Sequence, residues 1–408
     1  MQNQKVAIIG AGTAGLAVAS FLKKSGHDVT IFEKFESPKP LGAGLLMQPS
    51  GLSVLAMLGL DKQIIEQGSV IKKLHGKSCN QKRVILDVQY SHLSPHLFGV
   101  GTFRGNLFSA LYNKVLELEV PIKAATEICD IDNNTIIDTN GNKFAGFDIV
   151  VDASGQRSGL RTKYADVKLD KIYPYGAVWS VAKLTDPYFN TEILDQRYKN
   201  AHHMIGVLPV GKIDGNTTSA AFFWSMPTKE FDKWKAGSFD DWKNYVIGLW
   251  PETRSILDQF KTHSDMTHAT YRDVILRKYH NGNIAFIGDS AHCTSPQLGQ
   301  GANLALVDAF VLSECINKAN SVEAALTEYS RQRKAHLRFY QAASRMMTPF
   351  FQSNSWFFGK LRNILLVLGN KMAFNRRFTA QVLIGTKTGI FSTMNPRDWA
   401  KDYDLYKQ

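Results

Sequence analysis

The segment Gly10-Ala11-Gly12-Thr13-Ala14-Gly15 constrains the fold more than any other, because of what stands on either side of it. A short β-branched run, KVAII, precedes it. The run LAVASFLKKSG follows as a helix ending at Gly26, and DVTIFEK then reads as a second strand ending at Glu33. This is a β-α-β unit of ordinary length. Gly10 permits the tight turn after the strand, Gly12 lets backbone approach a pyrophosphate, and Gly15 lets helix and strand pack closely. The helix N-terminus then offers free N–H groups to phosphates. The pattern alone is a weak signal. Between a strand and a helix, with the acidic strand end Glu33 at the ribose-binding position, it predicts dinucleotide binding.

A second glycine cluster stands late in the chain. The apolar run IAFI at 284–287 ends abruptly at Gly288-Asp289. His292, Cys293 and Pro296 follow, then Gly299-Gln300-Gly301, and ANLALVDAFVLSECI reads as a helix. Between the two clusters, GNLFSALYNKVLEL is an amphipathic helix preceded by Arg104, and FDIVVDASG is a buried type of strand. PLGAGLLMQPSGLSVLAMLGL reads as a Gly-rich loop leading into a helix that stops near Gly59. GVGTFR, at 99–104, has Arg where a third glycine belongs and is discounted as a second nucleotide fold.

With 408 residues the chain exceeds the usual single core. From about 168 to 277 aromatic and alternating runs (AVWSVAKL, HHMIGVLPV, TSAAFFWSMP) replace the β-α-β rhythm. The expectation is an α/β dinucleotide-binding domain from 1–73, 97–167 and 278–330, with an antiparallel β-sheet substrate domain, 74–96 and 168–277, inserted into it. A basic helical segment, 331–408, completes the chain.

The four cysteines are scattered with no C-x-x-C pair, which argues against a zinc site or a disulfide framework and suits a reducing compartment. No signal peptide is expected ahead of the first strand, and no apolar stretch approaches the ~20 residues needed to span a bilayer. A cytoplasmic location follows. The net charge of +12 is concentrated: residues 329–397 hold twelve Lys and Arg and no Asp or Glu, and elsewhere the charges balance. The first reading of this segment is helices packed on the dinucleotide domain with cations on the solvent side. The second is peripheral attachment to an anionic membrane, since Trp356, Phe357, Phe358 and ILLVL lie among the cations. Nucleic-acid binding has no recognisable fold behind it and is not expected.

The late motif resembles that of the single-component FAD-dependent aromatic hydroxylases, the group A flavoprotein monooxygenases, through Gly288-Asp289, His292, Pro296, Gly299-Gln300-Gly301, Asn303 and Asp308. The resemblance implies a Rossmann-like FAD domain, with Asp289 on the ribityl chain of FAD. It also puts the helix after Gly299 with its N-terminus toward the flavin pyrimidine, where oriented N–H groups stabilise negative charge. Glycines there keep side chains away from a ring that needs backbone contact. On the same basis Gly10, Gly12, Thr13, Ala14, Gly15, Glu33, Lys34, Gly44, Arg104, Ile128, Ser154, Gly155, Pro296, Ala302 and Asn303 join the candidate cofactor-binding residues. The sequence departs from the family at Lys39, commonly Arg, and at Ser50, commonly Asn.

The middle motif departs further. VVDASGQRSGLR matches A-D-G-x-x-S-x-x-R through Ala153, Gly155, Ser158 and Arg161, but Ser154 stands at the acidic position. The family uses that motif for FAD and for the transient visit of NAD(P)H; serine can still hydrogen-bond, which keeps FAD binding in the expectation, while direct reduction is put in question. The implied reaction uses NADPH or NADH and O2 to hydroxylate a small aromatic or other largely apolar molecule through a flavin C4a-hydroperoxide. A reductase partner is needed only where NAD(P)H fails to reduce the flavin directly. Alternatives are a reductase or halogenase of the same fold, or a non-catalytic FAD-binding protein; HHMIGVLP lacks the two tryptophans of the halogenase signature. The flavin carries the chemistry, so no side chain is nominated as catalytic and no metal is expected. His203 (with its neighbour His202), Phe222, Trp224 and Pro296 are the candidates for lining a substrate pocket, each weighed against an ordinary place in the sheet core.

Overall fold

The computed structural model describes residues 1–37, 44–79, 83–213, 215–353 and 355–394, with Trp356 described by its backbone alone; Lys39 and residues 395–408 fall outside. Lys5–Ile9 pairs in parallel with Asp28–Phe32 on one side and with Ile149–Asp152 on the other. Ile284–Phe286 extends the sheet in parallel beyond Ile149–Asp152, Ile122–Lys123 does so beyond Asp28–Phe32, and His280–Asn281 is an antiparallel edge. The central strands read as continuous apolar runs because Val6, Ala7, Ile8, Val150 and Val151 are all shielded from solvent. The C-terminal ends of three neighbouring strands therefore bring Gly10, Ala153 and Gly288 to one edge, although they lie far apart in sequence. Helices Thr13–Lys24 and Gly301–Lys318 pack against each other there.

The second sheet has seven strands, in the order Thr267–Ala269, Tyr175–Lys183, Ser219–Pro227, His203–Gly211, Ile193–Lys199, Lys73–Ser78 and Val84–Gln89. It is antiparallel, as expected, except where Ile193–Lys199 runs parallel to Lys73–Ser78. Lys73–Ser78 enters from the dinucleotide-binding part of the chain, and the long path between the two strands permits the crossover that parallel pairing requires. A small sheet of Gly44–Met47, Gly99–Phe103 and Ser69–Ile71 joins the two larger ones. Its glycines make the contact close. A Cβ on Gly101 would lie 2.0 Å from the Pro209 carbonyl oxygen, and one on Gly44 2.5 Å from the Ala221 Cβ.

The division expected at 330 falls inside a single helix, Val322–Phe351, followed by Trp356–Gly369 and Ala373–Leu383. The expectation that the cations of this segment face solvent needs correction at three positions: Arg333, Arg362 and Lys387 are buried. Arg333 meets a carboxylate. The Arg362 guanidinium lies over the rings of Tyr198 and Phe351, and Lys387 Nζ donates to the Ile390 carbonyl. Each buried cation has found a carboxylate, a carbonyl or an aromatic face, without which burial would be prohibitive. Among the described residues no helix is long and apolar enough to cross a membrane.

Candidate active site

The three glycines of the first turn divide by what a side chain would meet. A Cβ on Gly15 would lie 2.0 Å from the Gly10 carbonyl oxygen, and Gly10, at φ +104°, would drive one to 2.7 Å from the Ala153 carbonyl oxygen. Those two are required by packing. A Cβ on Gly12 would meet nothing within 4 Å among the described residues. Gly12 is also the N-cap of Thr13–Lys24, with no side chain capping it and no acid in the first turn, so the helix start is an open cradle of N–H groups. Ala14 and Gly15 are buried in the helix, and Thr13 is half-buried. Glu33 accepts from the Ala11 N–H at 2.7 Å and the Phe35 N–H at 3.1 Å, which holds a carboxylate at the rim of the cradle. Its backbone bonds to Lys123 and Thr126, placing buried Ile128 close behind, while Lys34 is exposed over the Phe35 ring.

The middle motif folds around a residue that the sequence reading passed over. Asp152 ends its strand fully buried and accepts from the Ser154 N–H at 3.0 Å and from the hydroxyls of Ser154 and Ser158. Burial pushes its carboxyl up, and the two hydroxyls pull against that rise. The carboxylate absent at 154 is thus present two residues earlier, turned inward as a staple for the loop. Gly155, at φ +88°, has open space at its Cβ position, and Ser154 is exposed at the loop surface. Arg161, also buried, donates to the Gln156 and Ser290 carbonyls and to Asp170, tying this loop to the late motif.

Gly288 takes φ +60°, and its N–H donates to Asp308 at 2.8 Å. Asp308 also accepts from His292 Nε2 and from Arg333 Nε at 2.6 Å. Burial would raise its carboxyl, but His292, Arg333 and the Gly288 N–H hold it down at about 2. Arg333 Nη1 bonds in turn to His336 Nδ1, and His336 Nε2–H donates to the Gly385 carbonyl, the pairing of a neutral imidazole. Burial, chiefly, keeps that histidine well below its ordinary value. The late motif is therefore braced from beneath by a polar chain reaching the C-terminal segment. Asp289 is on the other side of the turn, exposed, and among the described residues nothing pairs with its carboxylate. Burial keeps the Cys293 thiol protonated.

Among the described residues Gly299, at φ +60°, and Gly301 have nothing within 4 Å of a Cβ position, and both stand exposed at the start of Gly301–Lys318, which has no acid in its first turn. Ala302 is half-buried. Asn303 and Gln300 are spent on the protein. The Asn303 amide accepts from the Gln48 N–H at 2.8 Å and donates to the Leu46 and Gly299 carbonyls, pinning the Gly-rich segment to this helix. Gln300 donates to the Leu383 carbonyl at 2.7 Å, and its buried Oε1 has no partner among the described residues.

Of the pocket candidates, Pro296 lies half-buried beside this turn. Phe222 and Trp224 do not: both are buried among Trp242 and the other apolar residues of the helices at 231–260, on the sheet face turned away from Leu46, Leu208 and Val210. His203 stacks on Trp224 at 4.4 Å and lines a separate cavity of about 400 Å³ with Lys199, His202 and Tyr245. Burial lowers its imidazole to about 4, so it is neutral at physiological pH. The other sheet face presents Phe223, which packs on Trp179 at 4.6 Å. Trp179 Nε1 donates to the Tyr271 hydroxyl at 3.3 Å. Burial raises the Tyr271 phenol to about 12, and Arg104, exposed at the first turn of Arg104–Glu117, pulls the other way. Strand alternation separates Phe223 from its neighbours; the sequence alone carried no signal for Trp179 or Tyr271.

The open Gly12 cradle, the Asp289 carboxylate, unpaired among the described residues, and the bare turn at Gly299–Gly301 are features that FAD fits, with anionic phosphates at one helix start and a neutral ring system at the other. A family profile for the FAD binding domain matches residues 3–343. The chain is 23% identical over 376 residues to a 6-hydroxynicotinate 3-monooxygenase of Pseudomonas fluorescens, covering 88% of this chain and 95% of that one. It is 22% identical over 345 residues to an FAD-dependent urate hydroxylase of Klebsiella pneumoniae, covering 82% and 87%. Among solved structures, a Klebsiella pneumoniae protein complexed with FAD and uric acid superposes with a TM-score of 0.79 at 19% identity over 94% of this chain and 98% of that one. A tetrameric 2-methyl-3-hydroxypyridine-5-carboxylic acid oxygenase superposes with 0.77 at 21% identity over 93% and 97%. The chain belongs to the FAD binding domain family, as one of its single-component flavoprotein monooxygenases.

Proposed function

We propose that this enzyme hydroxylates a small aromatic or otherwise largely apolar substrate with O2 and reducing equivalents taken directly from NADPH or NADH. The observation that carries the reading is the aromatic wall of Trp179, Phe223 and Tyr271 on the sheet face turned toward the FAD-binding part of the chain. FAD, when bound, supplies the redox and oxygen-transfer chemistry, which is why no side chain is nominated as catalytic.

The chain's own residues bind, orient and exclude water. In this reading the N–H groups after Gly12 hold the phosphates, Glu33 holds the adenosine ribose, and Asp289 holds the ribityl hydroxyls. The N-terminus of Gly301–Lys318 would face the flavin ring, where its dipole would stabilise negative charge. Arg104 and Pro296 complete the surround. Asp152, by stapling the loop at Ser154, supports retention of a working loop conformation despite the missing surface carboxylate.

The test is an anaerobic titration with NADPH and then NADH, alone and with a panel of aromatic and heteroaromatic compounds, followed by product analysis under ¹⁸O2. Bleaching of the flavin absorbance by either nucleotide, with label in the product, is the expected result. Flavin that bleaches only with dithionite would replace direct reduction by a partner reductase, and a turned-over product without label would overturn hydroxylation.

A further inference from the structure

Helix Trp356–Gly369 is apolar on two sides: Leu366 packs inward against the cluster around Tyr198 and Phe351, while other apolar residues face outward. A helix on a water-soluble surface turns its apolar stripe inward. This one turns Arg362 inward, onto the Tyr198 and Phe351 rings, and lays Gly359 so close to the chain that a Cβ would lie 3.1 Å from the Ala201 nitrogen. Just beyond its end, Asn370 Nδ2 anchors the inner side through the Ile85 carbonyl at 3.0 Å. The outer side carries Ile364, Leu365 and Leu368, at 58%, 51% and 57% exposure, and Phe374 of the next helix follows at 69%. Both helices lie along the edge strand Val84–Gln89.

A second apolar element stands beside them. Lys387 bridges Thr393, and the Thr388 and Gly389 N–H groups donate to the Ser392 carbonyl, closing a tight turn. Its tip is Phe391, 93% exposed. Lys387 Nζ lies over the Phe378 ring at 5.1 Å, which ties this turn to helix Ala373–Leu383. Exposed Lys371 and Arg377 stand among these residues; residues 329–397 contain no acid, and Asp87 on the adjacent edge strand pairs with Lys73 Nζ.

We propose that this face docks on an anionic lipid bilayer, with the apolar flank and the turn tip among the acyl chains and the cations at the headgroup phosphates. A protein partner would have to match a helix flank and a projecting turn at once. A bilayer interface accepts both, and the excess of positive charge in this segment complements an anionic leaflet. With no spanning helix among the described residues, the contact is in-plane. The proposal stands independently of the substrate and reductant assigned above.

The test uses the full-length, flavin-loaded protein and co-sedimentation with phosphatidylcholine vesicles, with and without phosphatidylglycerol, at low and high salt. The expected result is sedimentation with the anionic vesicles and little with phosphatidylcholine alone. K371Q/R377Q should bind roughly thirtyfold more weakly, and L365S/L368S/F391S should lose binding with flavin content and circular dichroism unchanged. Phe391→Ser alone, at a fully projecting position, serves if the triple variant does not fold. No sedimentation with any vesicle, or variants that bind as the parent does, would overturn the proposal. So would a parent that self-associates through this face, is dispersed by the same substitutions and ignores vesicles.

Discussion

Arg333 Nε donates to the Asp308 carboxylate at 2.6 Å, with both side chains at 1% exposure or less. Through Asp308 it supports the Gly288 N–H, and through His336 it reaches the Gly385 carbonyl, so a cation of the C-terminal segment sets the backbone of the late flavin motif. Arg333→Met would leave the Asp308 charge buried with only His292 and one N–H to balance it. The expected loss is about 3–5 kcal/mol, read by urea denaturation of the flavin-free protein. A loss no larger than that of a surface substitution would refute the bracing role.

The same pair sets an acid limit. Asp308 is held down at about 2 in the folded protein, below the ordinary carboxylate range. The stability it contributes is therefore fully present above that range and is lost as pH falls through about 2. Circular dichroism across an acid titration should show the parent unfolding at lower pH than Arg333→Met; coincident transitions would contradict the assignment.

Gly15 and Gly12 should separate folding from binding. Gly15→Ala forces a Cβ to 2.0 Å from the Gly10 carbonyl oxygen, and the overpacking should cost about 1–3 kcal/mol. Gly12→Ala meets nothing within 4 Å, so stability should change by no more than about 0.5 kcal/mol. Its FAD affinity should nevertheless fall by roughly tenfold or more, the scale of a lost backbone contact to a charged group. Thermal melts of the apoprotein and flavin-binding titrations measure the two effects separately.

Asp289→Ala should leave the apoprotein as stable as the parent, because the carboxylate is exposed and has no protein partner among the described residues. Flavin dissociation should rise roughly 10- to 100-fold, the range for hydrogen bonds to a charged group. Equal flavin retention after gel filtration would remove Asp289 from the site.

The two faces of strand Ser219–Pro227 should respond differently. Trp224→Leu empties space beside Trp242 and Tyr245 and should cost about 2–4 kcal/mol, with the KM of the folded enzyme unchanged. Phe223→Leu alters the wall shared with Trp179 and should change KM for the substrate. A KM shift in the first variant and none in the second would reverse the two faces.

Much of this molecule was legible in its residues because the constraints are local. A turn at positive φ or a close helix–strand contact demands glycine whatever the rest of the chain does, so Gly10, Gly15, Gly288 and Gly299 declared the nucleotide fold. Apolar runs of strand length likewise placed Lys5–Ile9, Ile149–Asp152 and Ile284–Phe286. What sequence alone left open depends on partners distant along the chain. All nine residues of Ser219–Pro227 are buried, so alternation pairs Phe222 with Trp224 against Phe223 but cannot say which side meets the flavin domain. Ser154 read as a lost carboxylate until the fold turned Asp152 beneath it. Arg333 and Arg362 read as solvent cations because composition records a charge but not the carboxylate or ring that will meet it. Sequence determined where the backbone must bend and which runs must be buried; tertiary structure decided which face each side chain presents and which buried charge is neutralised by which neighbour.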